Sequence, residues 1–190
     1  MKTIKIIGLF IFLISININS FAGDKFGIRA GYHASNLYNG SSALYNTHNT
    51  FYVGVFKDVK ILPLLHFGAG IDYFQGGSIK DNDNDIILHY LSVPVDLKLK
   101  LGPFFALAGV APSFKVHENW TAAGKEISPG SEMKSNAFDL PVFAGIGFKI
   151  AIISIEARYY YGTMSVNSNS LSGFDGYNSQ YLQLGLAVSI

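Results

Sequence analysis

Residues 153–161 run Ile153-Ser154-Ile155-Glu156-Ala157-Arg158-Tyr159-Tyr160-Tyr161. Successive side chains of an extended chain point to opposite faces. One face of this segment therefore carries Ile153, Ile155, Ala157, Tyr159 and Tyr161, and the other Ser154, Glu156, Arg158 and Tyr160. The next run toward the C-terminus repeats the pattern, with Leu182, Leu184, Leu186, Val188 and Ile190 against Gln183, Gly185, Ala187 and Ser189. Just upstream, Leu140, Val142, Ala144, Ile146 and Phe148 oppose Asp139, Pro141, Phe143, Gly145, Gly147 and Lys149. Each run has the length that a tilted membrane strand needs, about 9–11 residues.

The period extends back through the chain. Phe26, Ile28, Ala30 and Tyr32 alternate with Gly27, Arg29, Gly31 and His33, within Lys25 to Ser35. Phe51, Val53 and Val55 oppose Tyr52, Gly54 and Phe56 in Thr50 to Asp58. Leu65, Phe67, Ala69, Ile71 and Tyr73 oppose His66, Gly68, Gly70 and Asp72, and Leu91, Val93, Val95, Leu97 and Leu99 oppose Tyr90, Ser92, Pro94, Asp96 and Lys98. The Phe104 to Ala111 run is blurred, because both of its faces are apolar. The expected total is eight strands.

The breaks between runs also alternate. Short ones fall at Val59–Pro63, Lys100–Pro103 and Ile150–Ile152, the last with no turn-forming residue. Long polar ones fall at Asn36–Asn49, Gly76–Asp85, His117–Ala137 and Met164–Asn178. With an even number of strands, the short turns gather at one end and the long loops at the other. That is the layout of an outer-membrane barrel. The predicted fold class is all-β, a transmembrane antiparallel up-and-down β-barrel of eight strands.

Residues 1–22 stand apart and read as a cleaved export signal. Lys2 and Lys5 precede an apolar run from Ile6 to Ile18, and Ser20-Phe21-Ala22 places small residues where a signal peptidase reads them. The run is shorter than the roughly 18 apolar residues of an anchor. The barrel domain is expected at residues 23–190.

Composition decides which stripe faces outward. Of 190 residues, 49% are hydrophobic and only 14% charged, too few charges for a soluble domain's surface. A lipocalin-like barrel would turn the other stripe to water. That stripe is rich in glycine (Gly27, Gly31, Gly54, Gly68, Gly70, Gly145, Gly147, Gly185) and would leave bare backbone in solvent. Inside a narrow eight-strand lumen, the same glycines make room for Arg, Tyr and Phe to cross. The apolar stripe suits lipid. Tyr73 and Tyr161 at loop-side ends, with Phe26, Phe104 and Phe148 at turn-side ends, are expected at the interfacial girdles. In lipid every backbone group must be paired, so the last strand must close on the first.

Short motifs carry a family likeness. Phe26-Gly27-Ile28-Arg29-Ala30-Gly31, Tyr90-Leu91-Ser92-Val93-Pro94-Val95 and Ala157-Arg158-Tyr159-Tyr160-Tyr161-Gly162 make the chain similar to the PorT-like "porin family" of small outer-membrane β-barrels. The resemblance implies an outer-membrane location in a Gram-negative bacterium and an eight-strand barrel, and it fixes no substrate. Barrels of this kind often end in an aromatic residue, whereas this chain ends Val188-Ser189-Ile190.

The lumen stripe holds eight charged residues: Arg29, Asp72, Asp96, Lys98, Asp139, Lys149, Glu156 and Arg158. Counted from the turn side, Arg29, Asp96, Glu156 and Arg158 fall at similar depths. Four charges of each sign on facing walls suit a salt-bridged plug, since buried charges must be paired. An ion path is the functional alternative. Three other patterns carry less. His33-Ala34-Ser35-Asn36 is similar to the His-x-Ser-Asn of outer-membrane lipid A deacylases, but it falls on the lumen face with no acidic partner in view. Asp81, Asp83 and Asp85 alternate in a loop without the glycine or distal glutamate of a calcium-binding hand. His33, His48, His66, His89 and His117 are read as far apart, with no ribbon pairing, so no metal is expected.

A chain with no cysteine has no disulfide, thiolate site or lipid-anchored cysteine, and a net charge of +1 offers nothing to nucleic acid. No cofactor and no catalysis are expected. The expected partners are outer-membrane lipid and an extracellular or periplasmic protein met through the loops or turns, with Trp120 in the longest loop region. The expected role is a scaffold with a filled lumen, with a narrow channel for small solutes as the alternative and a lipid-modifying enzyme behind it.

Overall fold

Period-two alternation produces strands here because each wall has lipid on one side and packed side chains on the other. The computed structural model describes residues 25–39, 42–43, 46–80, 84–122, 125–127, 137–165 and 178–190. Its strands are β1 (Lys25–Asn39), β2 (Ser42–Ala43), β3 (Asn46–Lys60), β4 (Leu65–Lys80), β5 (Asn84–Ser92), β6 (Val95–Leu101), β7 (Phe104–Val110), β8 (Ser113–Ala122), β9 (Lys125–Ile127), β10 (Phe138–Asp139), β11 (Val142–Ile150), β12 (Ile153–Ser165) and β13 (Asn178–Ser189). They build eight walls: β1, β3, β4, β5 with β6, β7 with β8, β10 with β11, β12, and β13. β2 and β9 are short outliers that pair with β1 and β8.

Neighbouring walls are antiparallel throughout, and β1 pairs with β13 from Gly27↔Ser189 to Tyr38↔Asn178, which closes the barrel. Closure leaves no unpaired edge in the hydrocarbon layer. Three adjacent walls are broken at proline, at Pro94, Pro112 and Pro141. A proline has no N–H for the ladder. Each of the three still lends its carbonyl to the next wall, accepting from Gly70, Val93 and Ala111 at 3.0, 2.8 and 2.9 Å.

The faces follow the alternation. Ile28, Leu97, Phe104, Ile146, Ile155, Leu184 and Leu186 are exposed on the outer wall, while Arg29, Asp72, Lys98, Glu156 and Arg158 are buried. Phe26 and Phe104 are exposed at the turn-side end, where the Phe104 and Phe148 rings meet at 5.0 Å. Tyr32, Tyr159 and Tyr161 are exposed toward the loop side, with Tyr32 and Tyr159 donating to Asn49 and Gln180 at 2.6 Å each. Among the described residues no helix is long and apolar enough to cross a bilayer.

One expectation needs correction, and one short break needs explaining. The walls reach further on the loop side than the alternation suggested: β1 runs to Asn39, β4 to Lys80 and β8 to Ala122, through segments read as loop. These extensions mix polar and apolar residues without strict alternation, so no period marks them. Ile150–Ile152 is a tight turn despite lacking a turn residue, because Ala151 adopts φ 53. The matching turn at Gly102 has φ 64, which glycine accepts without a Cβ penalty. Ala151→Gly is therefore expected to raise the stability of the folded barrel by about 1 kcal/mol. The urea midpoint in detergent micelles checks this.

Candidate functional site in the barrel lumen

The lumen is filled by a simple rule of register. Large inward side chains lie opposite glycines on the next wall: Tyr52↔Gly31, Phe56↔Gly27 and Gly70, Asp72↔Gly54, Phe105↔Gly147, Arg158↔Gly145. The space is already taken. A Cβ on Gly147 would lie 2.1 Å from the Phe105 ring, and one on Gly185 2.1 Å from the Tyr52 hydroxyl.

A charged layer occupies the turn-side half. Arg29, Gly54 and Asp72 form one row across three walls. Gly54 is bare, so the Arg29 guanidinium reaches over it and donates from Nε and Nη2 to the two Asp72 oxygens at 2.8 and 2.9 Å. Lys98 donates to both oxygens of Asp58 at 3.0 and 2.9 Å, and Lys100 shares that carboxylate at 3.4 Å. Arg158 donates to Glu156, two residues away on its own strand. Asp96 lies in the field of Lys98 and Arg158. Phe56 lies between Arg29 and Lys98, at 5.3 and 5.5 Å from the cations, which adds cation–π attraction in a dry site.

An aromatic layer lies above the charges. Phe143 stacks on Tyr160 (4.7 Å), Tyr160 on Tyr181 (4.4 Å), and Tyr181 contacts Phe74 (5.2 Å), which stacks on Tyr90 (5.4 Å). His33 joins by stacking on Phe74 at 4.7 Å. The rings belong to β11, β12, β13, β4 and β5, so they span the lumen from wall to wall. Above them a cavity of about 30 Å³, lined by His33, Ser35, Ser113, Asp139, Ser179 and Tyr181 among others, has room for about one water.

All eight sequence-predicted lumen charges lie on the inward phase. Six are buried, while Asp139 and Lys149 are half-buried at opposite ends. Asp139 accepts from Ser179 at 2.9 Å, and Lys149 donates to Ser189. They do not join the central pairs. Asp58 was missing from the predicted set, yet it holds both Lys98 and Lys100. Its position two residues after Phe56, in phase with Tyr52, was the available signal.

The histidines need a correction. His89 and His117 are cross-strand partners with rings 5.5 Å apart, and the His89 Nδ1 lies 2.6 Å from the Tyr73 hydroxyl. Sequence separation hid this, because the two lie 28 positions apart although their walls are adjacent. Among the described residues no group of three or more potential ligands is placed to hold a metal ion. His33 and Ser35 are both buried on the lumen face, and His33 Nδ1 faces the Gln183 amide at 3.3 Å rather than a carboxylate. Asp81 and Asp83 lie outside the described residues, while Asp85 and Trp120 fall on the paired strands β5 and β8.

A closed antiparallel barrel with an apolar outside and a polar, side-chain-filled inside defines a small transmembrane β-barrel. The chain belongs to the outer membrane protein beta-barrel domain family, whose model matches residues 20–167. Its location is accordingly the bacterial outer membrane. No curated protein matches the chain. Neisserial surface protein A is similar in fold (TM-score 0.60, 16% identity, covering 89% of this chain and 100% of that one). So is Ail, the attachment invasion locus protein of Yersinia pestis, solved with the heparin analogue sucrose octasulfate (TM-score 0.54, 16% identity, 89% and 100% covered).

Proposed function

We propose that this protein is a non-enzymatic outer-membrane scaffold whose sealed barrel holds its loop-side and turn-side surfaces in place for protein partners. Kinship with the PorT-like group and export through a signal at residues 1–22, cleaved before Gly23, belong to the same proposal. The observation that carries it is the double filling of the lumen. Paired ions occupy one half and wall-to-wall rings the other, and the cavity above the rings measures about 30 Å³. A water-filled path needs a continuous polar channel, and stacked Phe and Tyr rings interrupt one. Catalysis by His33 and Ser35 has no support in the geometry. Both are sealed on the lumen face away from lipid, and a neutral amide stands where a triad would place a carboxylate. Ail, similar in fold, was solved with the heparin analogue sucrose octasulfate, an example of this fold presenting a recognition surface.

Planar-bilayer recording of the purified, refolded protein tests the proposal. A sealed lumen gives no steady open level at any voltage that the bilayer tolerates. Reproducible unitary steps from the unaltered protein would establish the channel instead.

A further inference from the structure

Charge is segregated along the lumen axis. The carboxylates Asp58, Asp72, Asp96 and Glu156 are all buried, whereas Lys25 and Lys60 are exposed and Lys100 and Lys149 half-buried at the turn-side opening. These four lysines stand on four walls, β1, β3, β6 and β11, all in lumen phase. Lys149 feels Lys25, Lys100 and Lys98 as repelling neighbours, and His66 lies in the field of Lys60, Lys98 and Lys100. Against them, among the described residues, the mouth has Asp58, already committed to Lys98 and Lys100. Like charges gathered at a partly desolvated opening repel one another, and that repulsion is relieved by an anionic partner.

The outward positions at the same end are mostly apolar. Phe26, Ile61, Leu62, Leu64, Leu101 and Phe104 are exposed there, and Lys57, paired with Phe26, is a charged residue among them. The four lysines differ from Lys57 in standing on the lumen phase, at the opening of the barrel. They come from four different walls of the barrel, the first, second, fourth and sixth. Carboxylates spaced along an extended chain can meet several at once.

We propose that the turn-side mouth is a docking surface for an acidic polypeptide segment of a periplasmic partner. The proposal rests on the outer-membrane orientation given above, with the short turns in the periplasm. It names the partner chemistry of one of the two surfaces that the sealed barrel presents.

Fluorescein-labelled decaglutamate, titrated against the full barrel in neutral detergent and followed by anisotropy, tests it. Saturable binding that weakens with added salt is expected. The double variant Lys25→Gln/Lys60→Gln removes two exposed charges without touching the buried pairs, and it should weaken binding about fivefold. Lys100→Gln/Lys149→Gln should weaken it further, and Lys115→Gln, distant on β8, should leave it unchanged. Gel mobility before and after boiling reports whether each variant is folded. Absence of saturable binding, wild-type affinity in both mouth variants, or displacement by pyrophosphate at equal molarity would each overturn the proposal, the last by revealing a small-anion site. A conducting pore would appear in bilayer recordings and not in this assay, so failure of the sealed scaffold and failure of the docking surface give different results.

Discussion

Arg29→Ala is expected to lower the unfolding free energy of the barrel by about 3–5 kcal/mol. The guanidinium it removes holds both oxygens of Asp72 across a bare Gly54, and both side chains are only 2% exposed. Without it, Asp72 remains in a dry site between Phe56 and Phe74 on neighbouring inward positions, with its charge uncompensated. A buried charge left without its partner costs more than the pair contributes, because the desolvation penalty stays while the Coulomb attraction goes. Replacing both members with apolar residues, Arg29→Met with Asp72→Leu, should therefore cost less than Arg29→Ala alone. Urea titration in micelles measures all three. A loss below about 1 kcal/mol in Arg29→Ala would mean that water reaches Asp72 and that the charged layer is not dry. Arg158→Ala belongs to the same class, since Arg158 is also fully buried beside Glu156.

Gly31→Val should abolish the folded barrel. Gly31 faces Gly185 directly across the β1–β13 seam, and a Cβ there would lie 2.2 Å from the Leu184 carbonyl and 2.4 Å from the Gly185 Cα. Those neighbours are backbone atoms, which have no rotamer to yield. The seam would have to open, and in hydrocarbon its unpaired N–H and C=O groups would cost several kcal/mol each. The neighbouring change Ala30→Val installs the same side chain on the exposed outer face and should be tolerated. Gel mobility before and after boiling separates the two. The Gly31 variant should run only as the unfolded form, and the Ala30 variant should keep the faster folded band. A stable folded band from Gly31→Val would show that the seam is looser than its register implies.

Much of this architecture was legible in the sequence because one physical constraint repeats in every wall. Lipid outside and packed side chains inside force a period of two, and that period places Arg29, Asp72, Asp96, Lys98, Glu156 and Arg158 on the inner face. What the period cannot supply is register. Arg158 was expected to meet a carboxylate on a facing wall, and it bonds Glu156 on its own strand. Arg29 finds Asp72 two walls away only because Gly54 falls in the row between them. The ring stack from Phe143 to Tyr90 is likewise a product of register, joining residues up to 107 positions apart. The His89–His117 pairing was missed for the same reason. The loop-side extensions of β1, β4 and β8 were missed for a different one: polar and apolar residues stop alternating strictly there.

The chain contains no native cysteine, so single-cysteine variants report one position each. Spin labels at Ile155→Cys and Leu186→Cys, with Ser154→Cys and Ala187→Cys as their inward neighbours, read the orientation of two adjacent walls in lipid vesicles. Collision with oxygen dissolved in the hydrocarbon should be frequent at positions 155 and 186 and suppressed at 154 and 187. If positions 154 and 187 met the oxygen-rich hydrocarbon while 155 and 186 did not, lipid would lie against the charged face, contradicting the barrel as described.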